Sequence, residues 1–567
     1  MNGRIFVGID FGTTNTTVCV ETNGRRRMVV FANGSYLLKS IVSYKDKIPK
    51  VVMSTEITDN MQWSVLNCKR LLGVPYSPSV KGRVSCYNAP LFQDPSGLCS
   101  FRIVKGGTTV CTPTPVDVAS LIFTEILNTL IKQKVIVNEN DISSVAIGIP
   151  AEYDHLQRDK TIEAASIAGF QNVHLINEPT AAVLSYNDRH QFADEYVLVY
   201  DLGGGTFDTS LIHCSHNSYE VIMTEGETNT GGSDMLDILA DYIFDCFVAD
   251  TGIDAYLDAQ DPTSRAFQQF RKICTDAKEC LSECEAVNIS LKCLYVMTNQ
   301  LSKFKNQTLL IHREDYEELI SPIVDQTITC VDRLLRKAKE YHGITSDQIG
   351  RIILVGGATR TPLVERQLKQ RYKIKVMKDI NQNQCVAQGA CIYAKAYSNL
   401  AVFNRVTEGD VCIVEKAPFS YGVALKGDVV YPLIKKGDKI PTTITKVFTT
   451  TEDNQDSIST AVFTGEGTRA EECTFVRNVV FKFDERLPKG VPRILITYHI
   501  DAANILKVTC AHQGDAQTNT LGTVEMMITW FVCLLSKRNN SVLEESKVFV
   551  FDEDGVSAAT SFRSFSQ

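Results

Sequence analysis

The chain has 567 residues, a net charge of −8, and an ordinary globular balance of 44% hydrophobic and 22% charged residues. A chain of this size holds several folding units, with cores large enough to stand without disulfide staples. Its acidic balance excludes a broad electrostatic nucleic-acid binder, and no direct sequence-specific nucleic-acid binding is expected.

The 18 cysteines fall mostly inside apolar patterns, as at Cys19, Cys68, Cys274, Cys391 and Cys510. Cys280 and Cys284 lie four apart but lack partner ligands for zinc. So many unpatterned thiols fit a reducing compartment, and a cytoplasmic location is the expectation. The first residues read as strand and turn rather than signal peptide. The longest uncharged apolar run, 526–535, falls short of the ~20 residues a spanning helix needs. It reads as a buried strand, and no transmembrane segment is expected.

Residues 4–21 read as strand, tight turn, strand: Ile5, Val7 and Ile9 alternate, then Asp10-Phe11-Gly12-Thr13-Thr14 breaks the run. The basic run Arg25-Arg26-Arg27 reads as a solvated turn. Helical spacing covers 115–134, a strand covers 145–149, and a second helix covers 156–168. Residues 195–213 repeat the opening design, with Asp201-Leu202-Gly203-Gly204-Gly205-Thr206 at the turn and Asp208 beyond it. Two such turns about 190 residues apart suggest two related lobes by internal duplication. Residues 234–248 and 263–284 read as helices. Residues 351–371 read as strand, Gly356-Gly357 turn, helix, so the first 400 residues are α/β. After about residue 400 helical periodicity fades. Short β segments follow at 429–434, 445–451, 457–464, 493–500 and 504–510, which is an all-β domain. The last 30 or so residues read as weakly ordered.

Glycine-rich turns after strands let backbone N–H groups converge on phosphate. Three occur, at Gly12-Thr13-Thr14, Gly203-Gly204-Gly205-Thr206 and Gly356-Gly357. Asp10, Asp201 and Asp208 could hold a hydrated Mg²⁺, which favours a few carboxylates plus water. A Walker-type Gly-x-x-x-x-Gly-Lys-Ser/Thr run is absent, so a P-loop fold is not expected.

The segments GIDFGTTNTTVCV, CKRLLG, INEPTAAVLSY, YDLGGGTFDTSLI and ILVGGATRTPLVERQL resemble the phosphate, lysine and adenosine segments of the heat-shock protein 70 family. The likeness runs from residue 4 to about 515. It implies a two-lobed, actin-like ATPase domain over 1–400 and an interdomain linker over 401–418. A β-sandwich partner-binding domain over 419–522 and a short tail over 523–567 would follow. It also implies ATP/ADP and Mg²⁺ as ligands and weak, Mg-dependent hydrolysis of ATP. By the resemblance, Gly12, Thr13, Thr14 and Asn15 cradle phosphate, with Gly203, Gly204, Gly205 and Gly232. Lys69 stabilises charge on the γ-phosphate. Glu178, Asp201, Asp10 and Asp208 position the metal and the attacking water, and Thr206 touches the γ-phosphate. Lys278, Ser282, Gly356, Gly357 and Arg360 line the adenosine pocket. The departures cluster at the base: Asn15 replaces the usual aromatic or small residue, Thr275 stands for Glu, Glu279 for a stacking Arg, and Ala358 for Ser. Asn381-Gln382-Asn383-Gln384 replaces Asn-Pro-Asp-Glu.

The β region is similar to the family's peptide-binding domain. The resemblance assigns Val423 and Ile458 to a side-chain pocket, Phe448 beside it, and Lys426 and Thr451 to the arch over it. A lysine in the arch would repel basic peptides. The apolar run Val411-Cys412-Ile413-Val414 resembles the family's coupling linker. Strong helical periodicity for a lid is missing after Cys510. These departures resemble the heat-shock protein 70 homologues encoded by closteroviruses. That points to virion assembly and cell-to-cell movement, with capsid-protein partners and residence in virions and plasmodesmata. The alternatives are a cellular folding chaperone working with J-domain co-chaperones, and a nucleotide-held scaffold without turnover.

Overall fold

The computed structural model describes residues 4–53, 63–77, 89–105, 107–215, 218–228, 230–253, 265–403, 412–417, 419–425, 429–450, 452–455, 457–482, 487–500, 506–513, 518–526, 548–552 and 555–557. The chain divides into two compact units, Met1–Cys412 and Ile413–Gln567.

The first unit is built from two sheets of the same design. In the first, the strands run Val173–Asn177, Ile142–Ile149, Ile5–Phe11, Asn15–Thr22, Arg25–Met28 in spatial order. Ile5–Phe11 pairs in parallel with Ile142–Ile149 and antiparallel with Asn15–Thr22. In the second, the order Lys375–Met377, Ile349–Val355, Glu195–Leu202, Thr206–Ser215, Ser218–Thr228 repeats that arrangement, again parallel on one side of the central hairpin and antiparallel on the other. The helices repeat too. His155–Ile167 bridges two parallel strands of the first sheet, and Pro362–Tyr372 bridges the equivalent pair of the second. Glu178–His190 follows the first sheet's edge strand as Cys385–Phe403 follows the second's. Asp10 and Asp201 therefore occupy equivalent places, each at the carboxyl end of a central strand, where ligands gather in open α/β sheets.

Sequence explains these elements locally. Pro115–Lys132 begins at a capping box in which Thr114 accepts from the Asp117 N–H and Asp117 accepts from the Thr114 N–H. Such a cap contributes about 1 kcal/mol. Val118, Ile122, Phe123, Ile126 and Leu130, at helical spacing, are fully buried in the first lobe's core. The second lobe has its own core around Leu198, Tyr200, Leu239, Phe247 and Leu334. The two central helices cross where Gly389 meets the backbone of Ala181. Beyond that crossing, Tyr186 donates to the Ile380 carbonyl at 3.4 Å and Thr17 to that of Asn383 at 3.0 Å.

The second unit is a β structure of two antiparallel sheets. One contains Val429–Ile434, Tyr421–Leu425, Ser457–Thr464 and Thr474–Lys482. The other contains Thr518–Met526, Leu506–Gln513, Ile494–Ile500, Thr442–Thr450, Val548–Asp552 and Gly555–Ser557. Burial alternates along Ile494–Ile500, as for a strand with one face inward. Val423 and Phe448, expected near a groove, lie within the hydrophobic core beside Tyr421, Ile496 and Tyr498. Lys426 and Thr451 lie outside the described residues. Ile458 is described only as part of the strand Ser457–Thr464.

Three expectations need correction. Arg25–Met28 is a strand rather than a turn. It adds to the edge of the first sheet, with Arg26 Nε 3.2 Å from Glu21 and its Nη2 2.8 Å from Asp188. The stretch 401–418 is not all linker, because Cys385–Phe403 runs into it and Cys412–Lys416 is a strand pairing with Lys439–Ile440. The tail is not wholly irregular either. Val548–Asp552 pairs with Thr442–Thr450 and with Gly555–Ser557, and its β-branched and aromatic run Val-Phe-Val-Phe suits a strand. The apolar run 527–535 lies outside the described residues. Among them, no helix is long and apolar enough to cross a membrane.

Candidate nucleotide site

A cavity of about 960 Å³ opens between the two lobes of the first unit. Three glycine turns feed it. The first leaves Ile5–Phe11, and Gly12, Thr13, Thr14 and Asn15 line the wall. The second leaves Glu195–Leu202 and contributes Asp201, Gly203, Gly204 and Thr206. The third leaves Ile349–Val355 and contributes Gly356, Gly357, Ala358 and Arg360. Lys69, Glu178, Asp10, Gly232, Lys278 and Ser282 complete the set the resemblance assigned. Two assigned residues are not on the wall. Asp208 lies directly opposite Asp201 in the strand pairing. Gly205 is turned toward the guanidinium of Arg70.

Backbone hydrogen bonds fix the turns. Gly203 donates to Thr206 at 3.0 Å, Gly232 to Gly203 at 2.9 Å, and Ser233 to Gly204 at 2.8 Å. The Gly203–Thr206 turn is thereby stitched to the start of helix Gly232–Thr251. Gly356 has φ 83°, and a Cβ there would lie 2.3 Å from the Leu202 carbonyl oxygen and 2.8 Å from Asp201 Oδ1. Gly356→Ala is therefore expected to displace Asp201 and weaken nucleotide binding at least tenfold, an effect of ~1.4 kcal/mol or more. Calorimetric titration checks this, and unchanged affinity would show that the turn yields freely.

Lys69 Nζ is 2.6 Å from Glu178 Oε1, with the two side chains 7% and 12% exposed. Lys69 belongs to the short turn Cys68–Leu71, whose carbonyl at Lys69 accepts from Tyr153 Oη at 2.9 Å. Glu178 opens helix Glu178–His190, just after the sheet strand Val173–Asn177. Arg158 braces this corner through Asn177 Oδ1 at 3.1 Å and the carbonyls of Ala151 and Tyr153. Burial disfavours the Lys69 ammonium, but Glu178, with Tyr153 and Asp10, outweighs it and holds the lysine charged.

The acids are strained electrostatically. Burial and then Glu178 push Asp10 up to about 7, against the pull of Lys69. Burial, followed by Glu178 and Glu152, pushes Asp208 up to about 8. Asp201 is raised by burial and by repulsion from Glu178, Asp208 and Asp10. Four carboxyl groups thus face one ammonium, a donor set that fits an added divalent cation. Among the described residues no three acidic, His or Cys side chains converge as a direct ligand shell. The fit is to a hydrated ion reached largely through water, as Mg²⁺ prefers. A phosphate ligand fits as well. The buried Oδ1 of Asn15 has no hydrogen-bond partner among the described residues. A Cβ on Gly204 would fill the space beside Thr14, at 2.4 Å from its hydroxyl.

At the base end, Lys278 Nζ donates to the Gly232 carbonyl at 2.8 Å, and burial lowers the lysine to about 8. Thr275 turns its hydroxyl back to the Arg271 carbonyl at 2.9 Å, so it makes a helical contact of its own. Arg360 Nη2 reaches Asn381 Oδ1 at 3.1 Å. Sequence reasoning missed Lys39, which lines the cavity from the strand Leu38–Lys39. It also missed Arg70, whose Nε and Nη2 are buried without hydrogen-bond partners among the described residues, Nη2 lying 3.9 Å from Asp234. Adjacency to Lys69 was the available signal for Arg70. Lys39 sits in Tyr-Leu-Leu-Lys-Ser, which carries none.

A duplicated α/β unit with a cleft of phosphate turns, a buried lysine and clustered acids defines a two-lobed ATPase core, here joined to a β unit. The profile of the family described as Hsp70 protein matches residues 6–529. The chain belongs to the Hsp70 family, whose members are ATP-binding, polypeptide-binding chaperones served by J-domain co-chaperones.

Proposed function

We propose that this chain binds ATP with Mg²⁺ in the interlobe cavity, hydrolyses it slowly to ADP and phosphate, and uses the cycle to control a polypeptide partner held by the β unit. The observation that carries this reading is the buried Lys69–Glu178 pair, set among Asp10, Asp201 and the two phosphate turns. Gly12–Thr14 and Gly203–Gly204 would take the phosphates on their N–H groups and hydroxyls. Thr206 would hold a γ-phosphate oxygen. The Lys69 ammonium, kept charged by Glu178, offsets negative charge as it develops on the transferred group. Glu178 and Asp201 would orient water for in-line attack. Asp10, Asp201 and Asp208, with Glu178, would hold a hydrated Mg²⁺, which supplies charge neutralisation at the β- and γ-phosphates. Lys278, Ser282, Gly356, Gly357 and Arg360 would enclose the nucleoside.

The finer role follows from the sequence departures. A viral homologue of the closterovirus kind would turn this cycle to virion assembly and movement, with a capsid protein as the partner. ATP-sensitive co-sedimentation of the purified chain with filamentous particles tests that role. Turnover stimulated instead by unfolded peptide and a J-domain protein would make the chain a folding chaperone. The linker segment near Ile413 would couple the units, and Ile413→Asp is expected to leave nucleotide affinity intact while abolishing any effect of ATP on partner binding. If ATP still modulates partner release in that variant, the linker does not couple them.

Lys278 gives the site a pH dependence. Burial depresses its free-state pKa to about 8, while a nucleoside oxygen that accepts from its ammonium would favour the charged form. Above pH 8 binding must therefore recruit a proton, so affinity falls as pH rises, approaching tenfold per unit. Titration calorimetry from pH 7 to 9.5 checks this. The decline is expected to vanish in Lys278→Gln, whose affinity is lower throughout; an equally steep decline there would assign it elsewhere.

A further inference from the structure

Helix Arg265–Cys280 ends at a thiol, and a second thiol follows one turn later at Cys284. The backbone keeps winding between them: the N–H groups of Glu283 and Cys284 donate to the Cys280 carbonyl at 2.9 and 2.8 Å. Residues four apart on such a turn project to one side. The two side chains accordingly meet, and a hydrogen bond joins their sulfurs. That bond, ahead of burial and of the charges of Cys284 and Glu283, raises the Cys280 thiol above its usual range. Cys284 is exposed and Cys280 half-buried, whereas Cys19 and Cys391, also joined through sulfur, are both buried.

Cys280 also lines the interlobe cavity, as do Ser282 and Glu283 within the turn. Leu281, between them, is buried, and its carbonyl accepts from Arg313 Nε at 2.8 Å. Just beyond the turn, the Arg313 N–H donates to the Glu285 carbonyl at 2.7 Å. The turn is therefore pinned at Leu281 and past its end. A helical turn sets its end Cα atoms about 6 Å apart, inside the range a disulfide spans. Its Cβ atoms stand about 5–6 Å apart, against the roughly 3.5–4.5 Å a disulfide needs. Bridging would draw the turn tighter, and the pinned points leave Ser282 and Glu283, on the cavity wall, to take up the change.

We infer that Cys280 and Cys284 are a thiol modification site, a dithiol that small-molecule disulfides convert to an intramolecular disulfide, weakening the cavity's hold on nucleotide. First the exposed Cys284, as thiolate, attacks one sulfur of the small disulfide; a mixed disulfide forms, and one small thiol leaves with the Cys284 proton. Cys280, as thiolate, then attacks the Cys284 sulfur, and the second small thiol leaves with the Cys280 proton. The two protein thiols are oxidised, and one small disulfide is reduced to two thiols. A bridge that must bend its own turn is more reducible than a relaxed one, so a reductant reopens it. The effect on nucleotide rests on the proposed nucleotide-binding role of the cavity; the thiol chemistry does not.

The test treats the full chain with cystamine and reads the thiols by mass spectrometry after alkylation and digestion. The peptide holding both cysteines is expected to be two hydrogens lighter, unalkylated and free of cysteamine, and to revert with dithiothreitol. In Cys280→Ser the exchange is expected to stop at cysteamine on Cys284. Cysteamine retained on wild-type Cys284, or both thiols alkylated as in the untreated chain, overturns the bridge. Calorimetric titration with ADP reads the consequence. Affinity is expected to fall about fivefold in the bridged protein and to recover on reduction, while Cys284→Ser binds alike with and without cystamine. Equal affinity of bridged and reduced wild type overturns the link to the cavity. If neither form binds ADP, the nucleotide role of the cavity fails, and the mass change still decides for or against the dithiol.

Discussion

Lys69→Ala is expected to cut ATP turnover about 10²- to 10³-fold while leaving nucleotide bound. Among the described residues the ammonium is the one cation paired within the acidic cluster, and its distance to Glu178, 2.6 Å, fixes it in place before any substrate arrives. A charge already oriented and shielded from water is worth far more to a developing phosphoryl charge than the same group on the surface. The glycine turns that grip the phosphates do not depend on Lys69, since their geometry is set by backbone bonds from Gly203, Gly232 and Ser233. Binding and hydrolysis should therefore separate. Single-turnover hydrolysis of labelled ATP, beside equilibrium binding, measures both. Turnover within about threefold of wild type would remove Lys69 from the chemistry. Loss of binding along with turnover would mean that the lysine holds the site together instead.

Gly389→Val is expected to prevent folding of the first unit. A Cβ at that position would stand 1.7 Å from the Ala181 carbonyl oxygen and 2.4 Å from its carbon. The obstacle is helix backbone, which cannot swing aside as a side-chain tip can. The two helices would have to part along their whole contact, at a cost of about 3 kcal/mol or more. Asp10 hangs from a strand packed on one of these helices, and Glu178 opens the other. Gly8 on Ile5–Phe11 fits as closely against Ala387 and Cys391. Soluble yield and a circular-dichroism melt check the expectation. A variant that melts with the wild type would mean that the crossing is looser than its geometry implies.

Much of this was legible in the sequence because the determinants are local. Alternation up to Asp10 and up to Asp201, each broken by glycine, marks strand and turn, and the helix Pro115–Lys132 announces itself by Thr114, Pro115 and apolar spacing. The family motifs then brought Lys69, Glu178 and the three turns to one cavity. What escaped depends on contacts between distant residues. Asp208 follows the second turn in sequence, and only the strand pairing sets it directly opposite Asp201. Val423 and Phe448 read as groove residues, but alternation on a strand points apolar residues equally well to a core, and that is where they lie.

Phosphate release from ATP by the purified wild-type chain, followed under single-turnover conditions with and without Mg²⁺, bears most directly on the ATPase reading. Slow, Mg²⁺-dependent conversion of bound ATP to ADP is the expected result. Bound ATP that stays intact in the presence of Mg²⁺ would contradict it and leave the cleft as a nucleotide-held scaffold.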